Sequence, residues 1–181
     1  MSAPRVRSAP LLLRMRGGWP RAKHVIKHLY RPGERWDLLV PGLPTGLRER
    51  ALAAGCSCLQ RIQNGSDRPE RLSSPCARLV QADHEAYYAP AYMHAAETSL
   101  AGQRDGVLGN GRRALVGDNG VLVIASDGSD GRPDRVLSAY RPILGHPETR
   151  TAEEIREAAF QLWSDKTALA GAPLPEDTEE P

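Results

Sequence analysis

The chain has 181 residues, a net charge of +2, and only one Phe, three Trp and five Tyr. These values exclude a polycationic or polyanionic protein and a core built on aromatic rings, and they leave room for a single domain. No stretch approaches the roughly 20 apolar residues of a membrane span, so no membrane partner is expected. Leu11-Leu12-Leu13, ended by Arg14, is too short for the apolar centre of a signal peptide.

Charge is nevertheless segregated. Arg5, Arg7, Arg14, Arg16, Arg21, Lys23, Lys27 and Arg31 all precede the first acid, Glu34, while Glu176, Asp177, Glu179 and Glu180 crowd the other end. A basic start favours polyanion contact. Cys56, Cys58 and Cys76 are an odd number, which argues against a disulfide framework and fits a reducing, cytoplasmic setting.

In chain order, Pro4, Pro10, Gly17, Gly18 and Pro20 predict a basic, disordered tail over 1–20. A short helix follows over 21–30, with Ala22, Val25, Ile26 and Leu29 as its apolar stripe, stopped by Pro32-Gly33. A second helix spans 47–54, with Gly55 as its cap. Brief strands are expected over 58–62 and 76–81, with a loop over 63–75 between them. The stretch 84–112, rich in Tyr and then in Gly, shows no clear period.

The strands over 113–116, 121–126 and 135–141 are plainer. Asp118-Asn119-Gly120 turns between the first two, and the second, apolar throughout, reads as central. A hairpin loop covers 127–134. Thr151 and Glu154 form a capping box for an amphipathic helix running to about Leu169, and an acidic disordered tail fills 172–181. The fold class is α+β: short N-terminal helices packed on a small twisted antiparallel sheet, with a C-terminal amphipathic helix, all within one domain over 21–171.

Two stretches carry chemistry. Lys23-His24-Val25-Ile26-Lys27-His28 places two imidazoles and two ammoniums four residues apart, so each pair shares a helix face. Imidazoles titrate near neutral pH and ammoniums hold phosphate charge. The strand Arg135-Val136-Leu137-Ser138-Ala139-Tyr140-Arg141 alternates so that Val136, Ser138 and Tyr140 share one face. The competing reading of the first stretch is a solvated helix face, and of the second an ordinary strand with a Tyr at its rim. Because the stripe Ala22, Val25, Ile26 and Leu29 faces the core, His24 and Lys27 are expected on the open side, and His28 as a packed residue at the stripe's border.

Other clusters read more plainly. Cys56, Cys58, Cys76 and His84 lack the usual spacing of a zinc knuckle and read as free thiols. Tyr87, Tyr88 and Tyr92 with His84 and His94 read as core packing rather than a base-stacking platform. Asp127, Asp130 and Asp134 lack the bidentate Glu that closes a calcium loop. Gly106, Gly109 and Gly111 lack the strand-then-helix context of a nucleotide fingerprint. No metal or cofactor is expected.

A Lys-His-x-x-Lys-His helix followed by a late hairpin closing on Val-Leu-Ser-Ala-Tyr-Arg-Pro resembles the barnase/EndoU/colicin/RelE-like superfamily of small metal-independent RNases, most nearly its phage- and toxin-associated branch. The resemblance covers about 21–30 and 113–142. Ser138 stands where Thr is common, and 41–112 has no counterpart. It implies RNA cleavage through a 2′,3′-cyclic phosphate, with an antitoxin or immunity protein as partner. On this reading the catalytic set is His24, Lys27, His28, Ser138, Tyr140 and Arg141, and Arg21, Lys23 and Arg113 contact the substrate. The alternative is a non-catalytic interaction protein, phage-derived, whose basic helix binds a polyanion or a protein partner.

Overall fold

The computed structural model describes residues 14–15, 24–38, 43–44, 46–55, 59, 74–126 and 135–168. Its order is β1 (Arg14–Met15), a π-helical turn (Val25–Leu29), a 3-10 turn (Pro32–Glu34), α1 (Leu47–Ala53), α2 (Ser74–Asp83), a second π-helical turn (His84–Tyr88) and α3 (Ala89–Ala101). Then come β2 (Asp105–Val107), β3 (Arg113–Val116), β4 (Leu122–Ala125), β5 (Arg135–Tyr140), a 3-10 turn (Pro147–Thr149) and α4 (Ala152–Ala168).

The sheet runs β1-β5-β4-β3-β2. Its last four strands are antiparallel, and β1 lies parallel to β5 with Arg14 opposite Arg135. The predicted α+β class therefore holds, with helices on both faces. On one face Leu115, Val123, Ala125, Val136 and Ala139 join Val25, Ile26, Val80, Tyr88, Tyr92 and Ala95 in the main core. On the other, Ala114, Val116, Leu122 and Ile124 pack under Ala159, Phe160, Leu162 and Trp163 of α4. Strand β4 is buried at every position, as its unbroken apolar run predicts for a covered central strand.

The α4 capping box forms as read: Glu154 N–H donates to Thr151 Oγ1 at 3.1 Å, and Thr151 N–H donates to Glu154 Oε1 at 2.9 Å. The Thr151 N–H is the main cause that holds the Glu154 carboxyl below its usual pKa, with Arg150 adding to it. Gly55 follows α1 with φ 89°, the left-handed geometry that favours glycine at that position.

Two expectations are corrected. The strand over 76–81 is part of α2: Cys76, Val80 and Asp83 are its buried positions, a spacing of four and three that only a helix turns to one side. Over 58–62 the one described residue, Leu59, has helical backbone and is fully buried. The stretch from 84 onward, which has no clear period, continues as helix to Ala101 and then supplies edge strand β2. The loop over 127–134 and the tail over 172–181 lie outside the described residues, as does the tail over 1–20 apart from Arg14–Met15.

Candidate active site

The predicted helix over 21–30 is described from His24 and winds as a π-helix over Val25–Leu29. Tyr30 N–H reaches the carbonyl of Val25 at 3.3 Å, five residues back rather than four. Such widened turns are uncommon and concentrate at functional sites. The wider winding sets His24 over His28, rings stacked at 6.0 Å with 12° between planes. Val25, Ile26 and Leu29 are buried as the stripe predicts, but so are both histidines, each 6% exposed. His24 is therefore not on an open face.

Beyond the turn, Glu34 organises the region. It is 1% exposed, and each carboxylate oxygen has its own set of partners. Oε2 meets His28 Nδ1 at 2.8 Å and lies 3.7 Å from Arg31 Nη1. Oε1 accepts from Trp36 Nε1–H and from the backbone N–H of Arg141, both at 3.0 Å. A buried carboxylate is tolerated only with partners of this kind. Its sole sequence signal is its place as the first acid after eight basic residues, which says nothing of burial; Glu34 was missed for that reason.

Arg141 was expected in the catalytic set. It lines the cleft between the histidine turn, the end of β5 and α4, is 1% exposed and closes the loop after Glu34. Its Nη1 donates to the carbonyls of Glu34 at 3.3 Å and Leu38 at 2.8 Å, and also to that of Arg35. The Nε–Nη2 edge lies against Gly120, where an added Cβ would stand 3.3 Å from Nη2. Burial lowers the guanidinium pKa to about 10, against the pull of Glu34 and Asp37.

The histidine turn and β5 do meet. The rings of His28 and Tyr140 are 5.7 Å apart at a cleft of about 690 Å³ between the turn, the end of β5 and α4. Lys27 and Arg31 line its cationic side, Ile143, Leu144 and Leu162 its apolar side, and Gln161 and Asp165 its helical wall. Gln161 Nε2 donates to Asp165 Oδ1 at 2.8 Å. This arrangement combines an imidazole held by a carboxylate, a phenol and two fixed positive charges, a set suited to moving protons beside an anion.

Strict alternation along β5 is broken. Ile124 pairs with Ser138 but Ala125 pairs with Val136, so Leu137 is a bulged residue. Val136 and Ala139 consequently face the main core, whereas Tyr140 sits on the α4 side. Ser138 is opposite Ile124 and fully buried, and it does not line the cleft. Arg113 sits at the start of β3 opposite Ala125, also outside the cleft lining. Arg21 and Lys23 lie outside the described residues.

Tyr88 and Tyr92 are buried beside His84, and Tyr88 packs on Trp36 with ring centroids 5.4 Å apart. Cys76 is buried in α2, while Cys56 and Cys58 lie outside the described residues. Among the described residues no three His, Cys, Asp or Glu side chains converge as metal ligands. No helix among them is long and apolar enough to cross a membrane. No protein family, curated protein or solved structure matches the chain.

Proposed function

We propose that this protein is a metal-independent endoribonuclease of toxin type, acting in the cytoplasm and held in check by an antitoxin or immunity protein. The observation that carries the reading is the meeting of His28 with Tyr140, 5.7 Å between rings, in a cleft whose cationic side is Lys27 and Arg31. His28 takes the proton of a ribose 2′-hydroxyl. The 2′-oxygen then bonds to phosphorus, and the P–O5′ bond breaks to leave a 2′,3′-cyclic phosphate. The departing 5′-oxygen takes a proton from the phenol of Tyr140. Lys27 and Arg31 offset the charge that builds on the phosphorane. His24, stacked behind His28, supports the ring rather than exchanging protons with substrate. Arg141 holds the loop after Glu34 in place, and Ser138 is packed inside the fold.

The test is cleavage of RNA by the purified full chain in EDTA, with the cyclic phosphate identified by mass. Activity lost on chelation and restored by a divalent ion refutes the mechanism. One observation favours the second reading, a non-catalytic protein that binds a polyanion: His28 Nε2 is closed off from solvent, so substrate must widen the cleft to reach it. RNA bound by the wild-type chain but left uncut supports that reading.

A further inference from the structure

The two oxygens of Glu34 are not equivalent, and the difference fixes the state of His28. Oε1 faces two N–H donors that cannot reverse their roles: the indole of Trp36 and the backbone of Arg141, both at 3.0 Å. Oε2 faces His28 Nδ1 at 2.8 Å, with Arg31 Nη1 further off at 3.7 Å. An ionised carboxylate only accepts hydrogen bonds, so Nδ1 carries a proton, and in the neutral ring it carries the only one. The other nitrogen, Nε2, then bears the lone pair and has no hydrogen-bond partner among the described residues.

We infer that Glu34 is a positioning residue that locks His28 in its Nδ1–H form, so that Nε2 meets the substrate as the proton acceptor. The inference rests on the ribonuclease reading for its chemistry but not for the locked ring. Glu34 touches no reacting atom. It orients the imidazole and stabilises the imidazolium formed when Nε2 takes the 2′-hydroxyl proton, as a buried carboxylate does for a catalytic histidine elsewhere. The same carboxylate ties the ring to β5, because the Arg141 N–H it accepts is one residue beyond Tyr140.

The substitution Glu34→Gln separates this role from simple packing. A glutamine amide has one acceptor and one donor end. Placing its NH2 at the Oε1 position would oppose two donors, so its oxygen stays there and its NH2 takes the Oε2 position. It then donates to His28 Nδ1, and the ring must carry its proton on Nε2. The expected outcome is an inverted tautomer with the fold retained.

The measurement is 15N NMR of the imidazole nitrogens of the full-length protein above neutral pH, assigned by loss of the signal in His28→Ala. Wild type should show a protonated Nδ1 and a bare Nε2, and E34Q the reverse. Cleavage by E34Q should fall by about 10²- to 10⁴-fold in kcat with KM little changed, the range for a histidine held in the wrong tautomer or removed as a base. A wild-type ring protonated on Nε2 overturns the inference without any variant, so a misfolded E34Q does not shield it. An E34Q ring that keeps the wild-type tautomer overturns it as well, and so does full cleavage by an inverted one. Inversion in a protein that never cuts RNA supports the locked ring and removes the ribonuclease reading instead.

Discussion

The hydroxyl of Tyr88 donates to the carbonyl of Ala139 at 2.5 Å, joining the π-helical turn ahead of α3 to β5 one residue before the cleft tyrosine. The bond spans the main core, and it fixes how far β5 slides past the helices and hence where Tyr140 points. Tyr88 is fully buried, and its pKa is pushed well above the usual value, first by burial and then by the nearby Glu34 charge.

Tyr88→Phe should therefore lower stability by about 1–3 kcal/mol, because the Ala139 carbonyl is left buried without its donor. The pH dependence has a definite sign. The folded state keeps the phenolic proton above the ordinary Tyr pKa of about 10, whereas the unfolded chain releases it there. Wild type should lose its advantage over Y88F as pH rises past about 10. Denaturant titrations of both proteins at neutral and alkaline pH measure this, and a constant difference refutes it.

The two histidines should separate by effect. His28→Ala should reduce RNA cleavage by roughly two to four orders of magnitude, the range for loss of a general acid or base. His24→Ala should cut cleavage far less and lower the melting temperature more, since its ring supports His28 from within the core. Equal loss of activity in both proteins, with equal melting, would refute this division.

Arg141→Lys keeps the charge but not the fork. A single ammonium cannot reproduce the bonds from Nη1 to the carbonyls of Glu34, Arg35 and Leu38. The variant should lose about 2–3 kcal/mol of stability, seen as an earlier midpoint in urea. Unchanged stability with abolished cleavage would return Arg141 to the role of a phosphate contact.

Helix α4 should show its cap in acid. The Glu154 pKa is lower folded than unfolded, so the carboxylate stabilises the fold above the unfolded value and stops doing so as pH falls through the folded one. Comparing melting temperatures of wild type and Glu154→Gln from pH 7 downward should show wild type ahead at neutral pH and the gap closing in acid. A gap that persists there would place the effect in something other than the charge.

Strands β3, β4 and β5 and helix α4 were legible because each has a local cause. The run Val121 to Ala125 is apolar on both faces, Asp118-Asn119-Gly120 turns, and Thr151 with Glu154 caps. Strand β2 was hidden because Asp105-Gly106-Val107 has neither length nor alternation. Helix α2 was mistaken for a strand because Leu79 and Val80 stand side by side, and only burial reveals that Cys76, Val80 and Asp83 form its inner edge. At the candidate site, Lys27, His28 and Tyr140 could be picked by type. Glu34 could not, because nothing local distinguishes a carboxylate that ends up between His28 and the backbone of Arg141 from one in water. His24 is buried beside His28 rather than on an open side because the turn winds with five-residue rather than four-residue bonds, which the apolar stripe cannot show.

The cleft draws one wall from Lys27, His28 and Arg31 and the others from Tyr140 and α4, with α1 to β4 between them in the chain. During synthesis the histidine turn leaves the ribosome long before β5 and α4 exist. A half-made chain thus has the imidazole but neither Tyr140 beside it nor the Arg141 N–H that anchors Glu34. The ribosome that builds this protein, itself largely RNA, is not exposed to a finished cleft until β5 and α4 have been released and folded.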